Sequence, residues 1–493
     1  MLTWRRVFRR FEARDSSLQT QLRDALMHAV LEGLIAPGES VPSSRWLAES
    51  LALSRTTVST VLLRLCAEGV LGSRPRSGYF VNPEMGSIRV DASGRPRKAV
   101  RKTAPSWLER IGSRFATQRN IVKPPDWQRY RFPFIYGQFD ASLFPFGAWR
   151  ECVLESLHKG EVEQWAPDHI DRDSPILIEQ IRRRLLPARG IWAEPDNILV
   201  TAGAQQATYM LASLLVSAGT RVGVEDPGYP DARNSFSLHS RQIARLPLDA
   251  GGLIVGEALA GCRYVYVTPS HQCPTTVTMT LERRLALLER AERDDIVIIE
   301  DDHESELSHA GRPTPALKSL DNAERVIYIG SLSKTLAHGL RIGYIVAPAA
   351  LIRELRGLRR LMLRHPATNN AHAAAVFVRH GFHEAFVRRL NRNYRDRAGV
   401  LRLALERHLP EATYAQANGG SALWVRFPER IDTGILAQAA LAHGVIVEPG
   451  EIFFARTERP RNFLRMGYSS IEARLIEDGV KVLAGLVHAS GNA

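Results

Sequence analysis

Apolar residues recur with helical spacing near the start of the chain. A leucine or valine stands at every fourth position from residue 18 to residue 34, which predicts one face of an amphipathic helix. These positions are Leu18, Leu22, Leu26, Val30 and Leu34. After the breaker "APGESVP", Ser43 or Ser44 can cap a second, short helix in "SSRWLAESLAL". The side chains expected to face inward there are Leu47, Ala48 and Leu51.

A third helix is predicted in "RTTVSTVLLRLCAEG", where Ser54 can serve as the N-cap. Its expected buried stripe is Val58, Val61, Leu62 and Leu65. A short helix, a tight turn and a capped helix make a helix-turn-helix, a motif whose second helix enters the major groove of DNA. Three-helix packing with no nucleic acid partner would produce the same periodicity and is the alternative.

The segment "VLGSRPRSGYFVN" predicts a two-stranded ribbon, or wing, with two arginines in its turn. Cations in such a turn can contact phosphates or the minor groove. The candidate DNA-binding residues of the whole module are Arg45, Ser54, Arg55, Thr56, Thr57, Arg74 and Arg76. We therefore expect a winged helix-turn-helix over residues 14–82.

Beyond residue 129 the pattern changes to short runs that are apolar throughout, separated by helical stretches. The runs that predict strands are "NILVTAG", "RVGVED", "CRYVYVTPS", "IVIIED", "RVIYIGSLS" and "RIGYIVA". Fully apolar strands that alternate with helices predict an α/β fold with a mainly parallel sheet buried on both faces. Functional groups in such sheets gather at the strand ends and in the loops after them.

At 493 residues and 45% apolar content the chain is too long for one small core, and at about 100–200 residues per domain we expect about three folding units. Residues 83–128 are polar, basic and dotted with Pro and Gly, which is typical of a flexible linker. The expected organisation is a winged helix-turn-helix at 14–82, a basic linker at 83–128 and an α/β domain at 129–493. No apolar run approaches the roughly 20 residues that span a bilayer, and no secretory signal is visible, so we expect a cytoplasmic protein with no membrane contact.

The net charge of +13 is concentrated in the first quarter of the chain. Residues 1–130 hold about 22 Lys and Arg against about 11 Asp and Glu, which indicates a polyanionic partner such as double-stranded DNA. A basic cluster between residues 95 and 102 can add nonspecific phosphate contacts or serve only as a solvated spacer. The four cysteines show no CxxC pair and no nearby His at metal-ligand spacing, so we expect neither a disulfide nor a metal.

Residues with chemical potential stand where the predicted strands end. "TAGAQQA" combines a strand end, a turn of small residues and a helix start, which presents backbone N–H groups to a phosphate. "EDPGYP" offers the ring of Tyr229, "IIEDDHESE" offers carboxylates, and "SLSK" brings two hydroxyls and Lys334. A phosphate cradle, an aromatic ring, an acidic partner for a ring nitrogen and a lysine able to form a Schiff base are what pyridoxal phosphate requires. An ordinary α/β core with a chance lysine is the alternative.

These motifs, in this order, resemble those of fold type I aminotransferases. With the winged helix-turn-helix in front of them, the chain resembles the MocR/PdxR subfamily of GntR-type transcriptional regulators over nearly its whole length except the linker. The resemblance implies a large domain with a mainly parallel sheet, a small C-terminal α+β subdomain and bound pyridoxal 5'-phosphate. It also implies a head-to-tail homodimer in which each winged helix crosses onto the body of the other subunit.

The resemblance also implies roles for individual residues. Ala204 and Gln205 would bind the cofactor phosphate through their backbone, together with the "SLSK" hydroxyls. Tyr229 would stack on the pyridine ring, and Asp301 would pair with the protonated ring nitrogen. Arg465 in "FLRMGYSS" would bind a ligand carboxylate bidentately. The implied cofactor-binding set is Ala204, Gln205, Tyr229, Asp301, His303, Ser331, Ser333, Lys334 and Arg341, with Lys334 as the catalytic residue.

Several positions depart from the family pattern. His303 stands where the family usually has Tyr, the residue that donates to the phenolic oxygen of the cofactor. Cys273 stands where the family has an aromatic residue or Asn, and Thr276 stands where it has Gly. An imidazole can also donate, but its titration near neutral pH would couple to that of the cofactor. The pattern favours cofactor binding and puts transaminase turnover in doubt.

The residues and the resemblance together predict a DNA-binding transcriptional regulator that depends on pyridoxal phosphate. Its aminotransferase-like domain would sense an amino compound, or the cofactor itself, and change operator affinity without turnover. The alternative is a working aminotransferase with a vestigial DNA-binding module, which the intact Lys334, Asp301 and Arg465 permit. A regulator that has lost the cofactor is a third possibility.

Overall fold

The computed structural model describes residues 17–74, 78–88, 106–112, 115–138, 140–308, 314–415, 419–456 and 458–491. The chain divides into two compact units, Met1–Gly112 and Ser113–Ala493. Residues 113–128, which the sequence assigns to the linker, therefore belong to the second unit. In the described part of the chain, no helix is long and apolar enough to cross a membrane.

In the first unit, helices pack against a small antiparallel sheet. The helices are α1 (Leu18–Leu31), α2 (Ser44–Ser50) and α3 (Arg55–Ala67), and a short α4 (Trp107–Arg110) comes later in the chain. The strands β1 (Ser40–Val41), β2 (Leu71–Arg74) and β3 (Gly78–Val81) pair in the order β1-β3-β2. Ser43 caps α2 by accepting from the backbone N–H of Trp46 at 3.2 Å, and Ser54 caps α3 by accepting from that of Thr57 at 3.0 Å. The predicted winged helix-turn-helix is confirmed.

The buried stripe of α3 follows the prediction, but that of α1 differs from it. Every predicted stripe residue of α3 is buried. In α1 the buried residues are Leu22, Leu26 and Ala29, whereas Leu18 and Leu34 are 52% and 39% exposed. Four residues turn an α-helix through about 400°, so a strict spacing of four drifts by about 40° per step and leaves the core face. The prediction was wrong at Leu18 for this reason, and it was wrong at Leu34 because α1 ends at Leu31.

The second unit is built on a mainly parallel sheet. The chain passes through β4 (Phe132–Pro133) and then through the sheet strands β5 (Ile198–Thr201), β6 (Val222–Asp226), β7 (Ile243–Asp249), β8 (Gly252–Leu253), β9 (Tyr264–Val267), β10 (Val297–Asp301), β11 (Val326–Ser331) and β12 (Gly343–Val346). Within the described residues the order is β5-β12-β11-β10-β9-β6-β7-β8. Strands β12 and β8 run antiparallel to their neighbours, and the other neighbouring strands pair in parallel. Every run that predicts a strand is confirmed, whereas β7 and β8 are additional to the prediction.

Helices cover both faces of this sheet. The helices in the described part of the second unit are α5 (Phe146–Ser156), α6 (Lys159–Trp165), α7 (Pro175–Gln180), α8 (Ala204–Leu215), α9 (Pro230–His239), α10 (Leu281–Arg293), α11 (Ala349–Leu363), α12 (Thr368–Arg379), α13 (Phe382–His408), α14 (Thr433–Ala442) and α15 (Ala473–Gly491). Of these, α14 and α15 pack beside β15 (Val445–Ile446) instead. Ile327 and Ile329 of β11 pack with α8, α9 and α11, whereas Val326 packs with α10 and Tyr328 with α12 on the other side. Because both faces are buried, the strand is apolar from Val326 to Gly330.

A smaller sheet places two charged side chains next to each other. Its order among the described residues is β13-β14-β17-β16, and β15 pairs in parallel with β4. The strands are β13 (Thr413–Tyr414), β14 (Ala422–Arg426), β15 (Val445–Ile446), β16 (Glu448–Pro449) and β17 (Phe463–Gly467). Arg465 of β17 lies opposite Trp424 on one side and Glu448 on the other. Residues directly opposite on paired strands share a face, so the arginine and the glutamate meet.

Candidate functional site

A cavity of about 290 Å³ in the second unit brings together all of the predicted cofactor and ligand residues. They are Ala204, Gln205, Tyr229, Asp301, His303, Ser331, Ser333, Lys334, Arg341 and Arg465. Most of them stand at the carboxyl ends of β5, β6, β10 and β11 or in the segments that follow, where parallel sheets present functional groups. The cavity is also lined by residues with no predicted role: Ile121, Lys123, Tyr136, Gly137, Asp231 and His338.

One end of the cavity is suited to an oxyanion. Helix α8 begins there at Ala204, and the N–H groups of a first helical turn have no intrahelical partner. Gly203, with φ of 85°, precedes it, and a Cβ at this glycine would lie 2.8 Å from Nη2 of Arg341. That guanidinium donates to the carbonyl of Ala202 at 3.1 Å. Ser333 Oγ is buried beside it with no hydrogen-bond partner among the described residues. Helix N–H groups, a cation and a spare hydroxyl suit a phosphate.

The middle of the cavity presents a carboxylate and an aromatic ring. Oδ2 of Asp301 accepts a hydrogen bond from the hydroxyl of Tyr266 at 2.5 Å. Its Oδ1 is buried with no hydrogen-bond partner in the described chain. The hydroxyl of Tyr229 lies 2.8 Å from Oε1 of Gln205 and 3.0 Å from Oδ2 of Asp231, which fixes its ring. Burial and the Asp231 carboxylate raise the pKa of Tyr229, so the ring stays neutral.

Lys334 follows β11 and faces the ring of Tyr136. Its Nζ lies 4.1 Å from the ring centroid. Burial lowers the pKa of Lys334 to about 8; the Glu304 carboxylate opposes this shift, and Lys123 and Arg465 add to it. A Cβ at Gly137 would lie 3.0 Å from Nζ, so the glycine leaves room for the amine. An amine with a lowered pKa near other cations is a nucleophile.

Arg465 is also buried beside Tyr136. Its Nε donates to Oε2 of Glu448 at 2.8 Å. The guanidinium carbon lies 4.1 Å from the ring centroid of Tyr136 and 4.6 Å from that of Phe453. Nη1 contacts the sulfur of Cys273 at 3.8 Å, and Nη2 has no hydrogen-bond partner in the described chain. The edge that carries Nη1 and Nη2 is therefore the one left for an acidic ligand.

A carboxylate that the sequence did not single out lies behind Lys334. Glu304 has φ of 58° and accepts from the hydroxyl of Ser421 at 2.6 Å. His271 Nε2 lies 3.4 Å from its Oε2. Burial alone would raise the pKa of Glu304, but the nearby cationic groups hold it below the usual value. His303 Nδ1 lies 4.0 Å from Oδ1 of Asp301, within the same cavity wall.

Cys273 and His338 are neutral parts of the cavity wall. Burial raises the pKa of Cys273 to about 12, so the thiol is protonated at neutral pH. Burial, aided by the charge of Lys334, lowers the pKa of His338 to about 3, so the imidazole carries no charge. Neither group adds charge to the site at neutral pH.

The chain segment at residues 119–123 crosses one side of the cavity. Arg119 Nη2 lies 2.9 Å from Oε1 of Glu451, and its carbonyl accepts from Nδ2 of Asn234 at 2.9 Å. Ile121 packs in the aromatic cluster around Trp424 and Phe453. These contacts tie the segment both to helix α9 and to the smaller sheet. Sequence analysis missed it because "RNIVK" lies at the end of a polar, Pro-dotted stretch with no periodicity.

In the first unit, the candidate DNA-binding residues fall into two groups. Arg55 and Thr56 are exposed at the start of α3. Oγ of Ser54 accepts from the backbone of Thr57 at 3.0 Å and lies 2.8 Å from its hydroxyl, so these two side chains engage each other. The pair therefore caps the helix, and Arg55 and Thr56 remain available to a partner.

The cationic candidates of the helix before α3 and of the wing are also placed at the surface. Arg45 is exposed, and its Nε lies 3.3 Å from Oε1 of Glu49. Arg74 is exposed at the end of β2, with its guanidinium 4.4 Å from the ring centroid of Phe80. Arg76 lies outside the described residues.

Comparisons with known proteins cover both units. The family "Bacterial regulatory proteins, gntR family" matches residues 18–81, and "Aminotransferase class I and II" matches residues 170–483. The HTH-type transcriptional regulator TauR of Rhodobacter capsulatus is 39% identical over 470 residues, 95% of this chain and 96% of that protein. The probable rhizopine catabolism regulatory protein MocR of Rhizobium meliloti is 32% identical over 475 residues, which are 95% of this chain and 93% of that protein. The structure of Pyrococcus horikoshii kynurenine aminotransferase in complex with PMP is similar with a TM-score of 0.71 at 28% identity, over 78% of this chain and 99% of that one.

The matches follow the division seen in the fold. The GntR match falls on the winged helix-turn-helix, and the aminotransferase match covers the large sheet and most of the residues that line the cavity, Lys334 included. The alignments with TauR and MocR each cover 95% of this chain and so span both parts. The chain therefore belongs to the MocR/PdxR-type transcriptional regulators of the GntR family, in which a winged helix-turn-helix is joined to an aminotransferase class I and II domain.

Proposed function

We propose that this regulator binds pyridoxal 5'-phosphate in the cavity beside Lys334 and that an amino compound, or the cofactor itself, sets its affinity for operator DNA. The observation that carries the proposal is a set of buried polar atoms that line one cavity with no hydrogen-bond partner among the described residues. They are Asp301 Oδ1, Ser333 Oγ and Arg465 Nη2. A buried polar group without a partner costs about 1–3 kcal/mol. A cavity that keeps several of them is suited to a ligand with complementary atoms.

The polar ends of pyridoxal phosphate and of an acidic amino compound complement these atoms. Asp301 Oδ1 would accept a hydrogen bond from a protonated ring nitrogen, with Oδ2 already held by a tyrosine. Ser333, the start of α8 and Arg341 would bind the phosphate. Tyr229 would cover one face of the ring, since its hydroxyl is fixed at two acceptors. When bound, the cofactor supplies an aldehyde that condenses reversibly with primary amines.

The amine of Lys334 would bind the cofactor, and the amine of the effector would replace it there. With a pKa of about 8, about a tenth of its amine is unprotonated at pH 7, against about 0.03% for an ordinary lysine. The Glu304 carboxylate would stay ionised, because its own pKa is lowered, and would attract the ammonium form of the amine. His303 would donate to the cofactor oxygen where the family has tyrosine. Transaminase turnover is not part of the proposal, given the departures at His303, Cys273 and Thr276.

The first unit would bind double-stranded operator DNA through α3 and the wing. Exposed Arg55 and Thr56 at the start of α3 would reach base edges. Arg45, Arg74 and Arg76 would contact phosphates, and the Ser54–Thr57 pair would direct the helix N-terminus at the backbone. A head-to-tail homodimer in the cytoplasm, as the family resemblance implies, would recognise two half-sites.

The test is the affinity of the purified full-length protein for the DNA upstream of its own gene, measured at fixed salt with and without pyridoxal phosphate. Lys334→Ala serves as the cofactor control, and Arg55→Gln serves as the DNA control. We expect tight, sequence-specific binding that the cofactor changes only when Lys334 is present. Specific binding that is equally strong with and without the cofactor in both proteins contradicts the cofactor part of the proposal. A keto acid produced catalytically from an amino donor contradicts the absence of turnover.

A further inference from the structure

One buried carboxylate lies between two cations at the edge of the cavity. Oε2 of Glu448 accepts from Nε of Arg465 at 2.8 Å, and its Oε1 lies 3.4 Å from Nζ of Lys123. The Glu448 and Arg465 side chains are 5% and 2% exposed, and that of Lys123 is 24% exposed. Lys123 also donates to the carbonyl of Tyr136. Each carboxylate oxygen thus serves one cation.

Charge is not balanced within this cluster. One carboxylate, Glu448, faces two cations, whereas Lys334 has a carboxylate of its own nearby in Glu304. The neighbouring thiol of Cys273 is protonated and contributes none. Arg465 keeps Nη2 without a hydrogen-bond partner in the described chain. An ammonium has three donors; that of Lys123 donates to the carbonyl of Tyr136 and forms an ion pair with Glu448. Both cations therefore retain a donor for one more anion.

We propose that Lys123 is a ligand-binding residue: with Arg465 it forms a two-cation site for the acidic group of the amino effector, and Glu448 holds the two cations in place. This inference rests on the proposed function, because the ligand's amine is taken to react beside Lys334. The effector class is then a short amino acid with a carboxylate or another compact anion. Lys334 Nζ and the Arg465 guanidinium both lie 4.1 Å from the centroid of the Tyr136 ring. A ligand of a few bonds can reach both.

Burial strengthens the attraction between Lys123 and an anionic ligand. A cation in a water-poor pocket attracts an anion more strongly than one in bulk water. Burial lowers the pKa of Lys123, and Arg465 adds to the shift while Glu448 opposes it. An incoming anion would stabilise the ammonium that these neighbours disfavour. Lys123 thus gains more from the ligand's charge than a surface lysine would.

The experiment compares matched acidic and uncharged probes on the cofactor-loaded full-length protein. The pairs are glycine with ethylamine and β-alanine with propylamine, in which a methyl group replaces the carboxylate. Dissociation constants come from calorimetry and from the change in cofactor absorbance. Lys123→Gln should weaken binding of each acid about tenfold or more, as expected for one charge-assisted hydrogen bond. Its affinity for each amine should stay within about twofold of wild type.

Two further variants separate a lost contact from a disturbed fold. Lys123→Arg keeps the cation and should retain most of the acid affinity. Arg119→Gln removes a cation from the same segment that does not line the cavity, and should leave both probes at wild-type affinity. Wild-type preference for the acids in Lys123→Gln, equal loss for acids and amines, or no acid preference in the wild type would each overturn the inference.

A readout without the cofactor keeps this inference distinct from the proposed function. About 100 mM acetate, against chloride at equal ionic strength, should raise the thermal unfolding midpoint of the cofactor-free wild type by about 1–2 °C. Lys123→Gln should lose this rise, and Arg119→Gln should keep it. If no cofactor band forms, the proposed function fails while the acetate shift still decides the role of Lys123. An equal shift in wild type and Lys123→Gln refutes that role.

Discussion

Replacing Lys334 with methionine should stabilise the cofactor-free protein at neutral pH, although it removes the amine on which the proposed function depends. Methionine has similar length and keeps the contact with the ring of Tyr136, but it carries no charge. The wild-type ammonium is disfavoured by burial and by the cations Lys123 and Arg465. The unfolded chain solvates the same ammonium fully, so the charge favours the unfolded state.

The size of the effect follows from the lowered pKa. It falls from 10.5 to about 8, which at about 1.36 kcal/mol per unit penalises the folded state by about 3 kcal/mol at pH 7. The folded state binds fewer protons than the unfolded chain between pH 8 and 10.5, so wild-type stability rises with pH in that window. The advantage of the variant should shrink to about 1.4 kcal/mol at pH 9.5. With an unfolding entropy of about 2.1 cal/mol/K per residue, about 3 kcal/mol corresponds to about 4 °C for a unit of this size.

The assay is thermal unfolding of the cofactor-free protein, followed by far-UV circular dichroism at pH 7.0 and 9.5. Lys159→Met is the control, because Lys159 is exposed at the start of α6 and its replacement should leave the midpoint within about 1 °C. A Lys334→Met variant no more stable than wild type at pH 7.0, or one whose advantage does not shrink at pH 9.5, would refute the reasoning.

Three other substitutions test the remaining parts of the molecule. Asp301→Asn should weaken retention of pyridoxal phosphate at least tenfold by dialysis and absorbance, because the charge opposite the ring nitrogen is lost; unchanged retention contradicts that pairing. Leu62→Ala should destabilise the first unit by about 2–5 kcal/mol in a thermal melt, since the side chain is fully buried. It should also abolish operator binding while the absorbance band of the bound cofactor stays intact. Loss of that band would contradict the independence of the two units. Arg55→Gln should lower the slope of log affinity against log salt by about one if the side chain contacts phosphate, or relax the sequence preference if it contacts a base. If the variant shows neither of these changes, Arg55 is not part of the interface.

The sequence predicts those elements in which one local pattern decides the structure. The strand β11 is apolar from Val326 to Gly330 because helices cover both its faces, so it can be recognised from the sequence alone. Ser43 and Ser54 precede their helices at positions where a hydroxyl can accept an N–H, and both do so. By contrast β7 alternates buried Leu246 with exposed Arg245 and contains Pro247, so it lacks the continuous run.

The candidate cofactor and ligand residues could be singled out from the sequence because each lies in a motif with its own chemistry, and all of them line one cavity. The residues that were missed act through long-range contacts. Glu448 meets Arg465 because β16 and β17 pair in a particular register. Lys123 reaches the same carboxylate from more than three hundred residues earlier in the chain. No local pattern specifies such a meeting, since it depends on how distant strands and segments come together.

The segment at residues 119–123 also has a mechanical consequence. It is tied to helix α9 of the large sheet through Asn234 and to the smaller sheet side through Glu448 and Glu451. A segment held at both sides of a cleft is extended when the two sides move apart and relaxes when they approach each other. The covalent path from the winged helix-turn-helix enters the second unit through this segment. The path of the segment at residues 119–123 therefore depends on the distance between helix α9 and the smaller sheet, which both hold it.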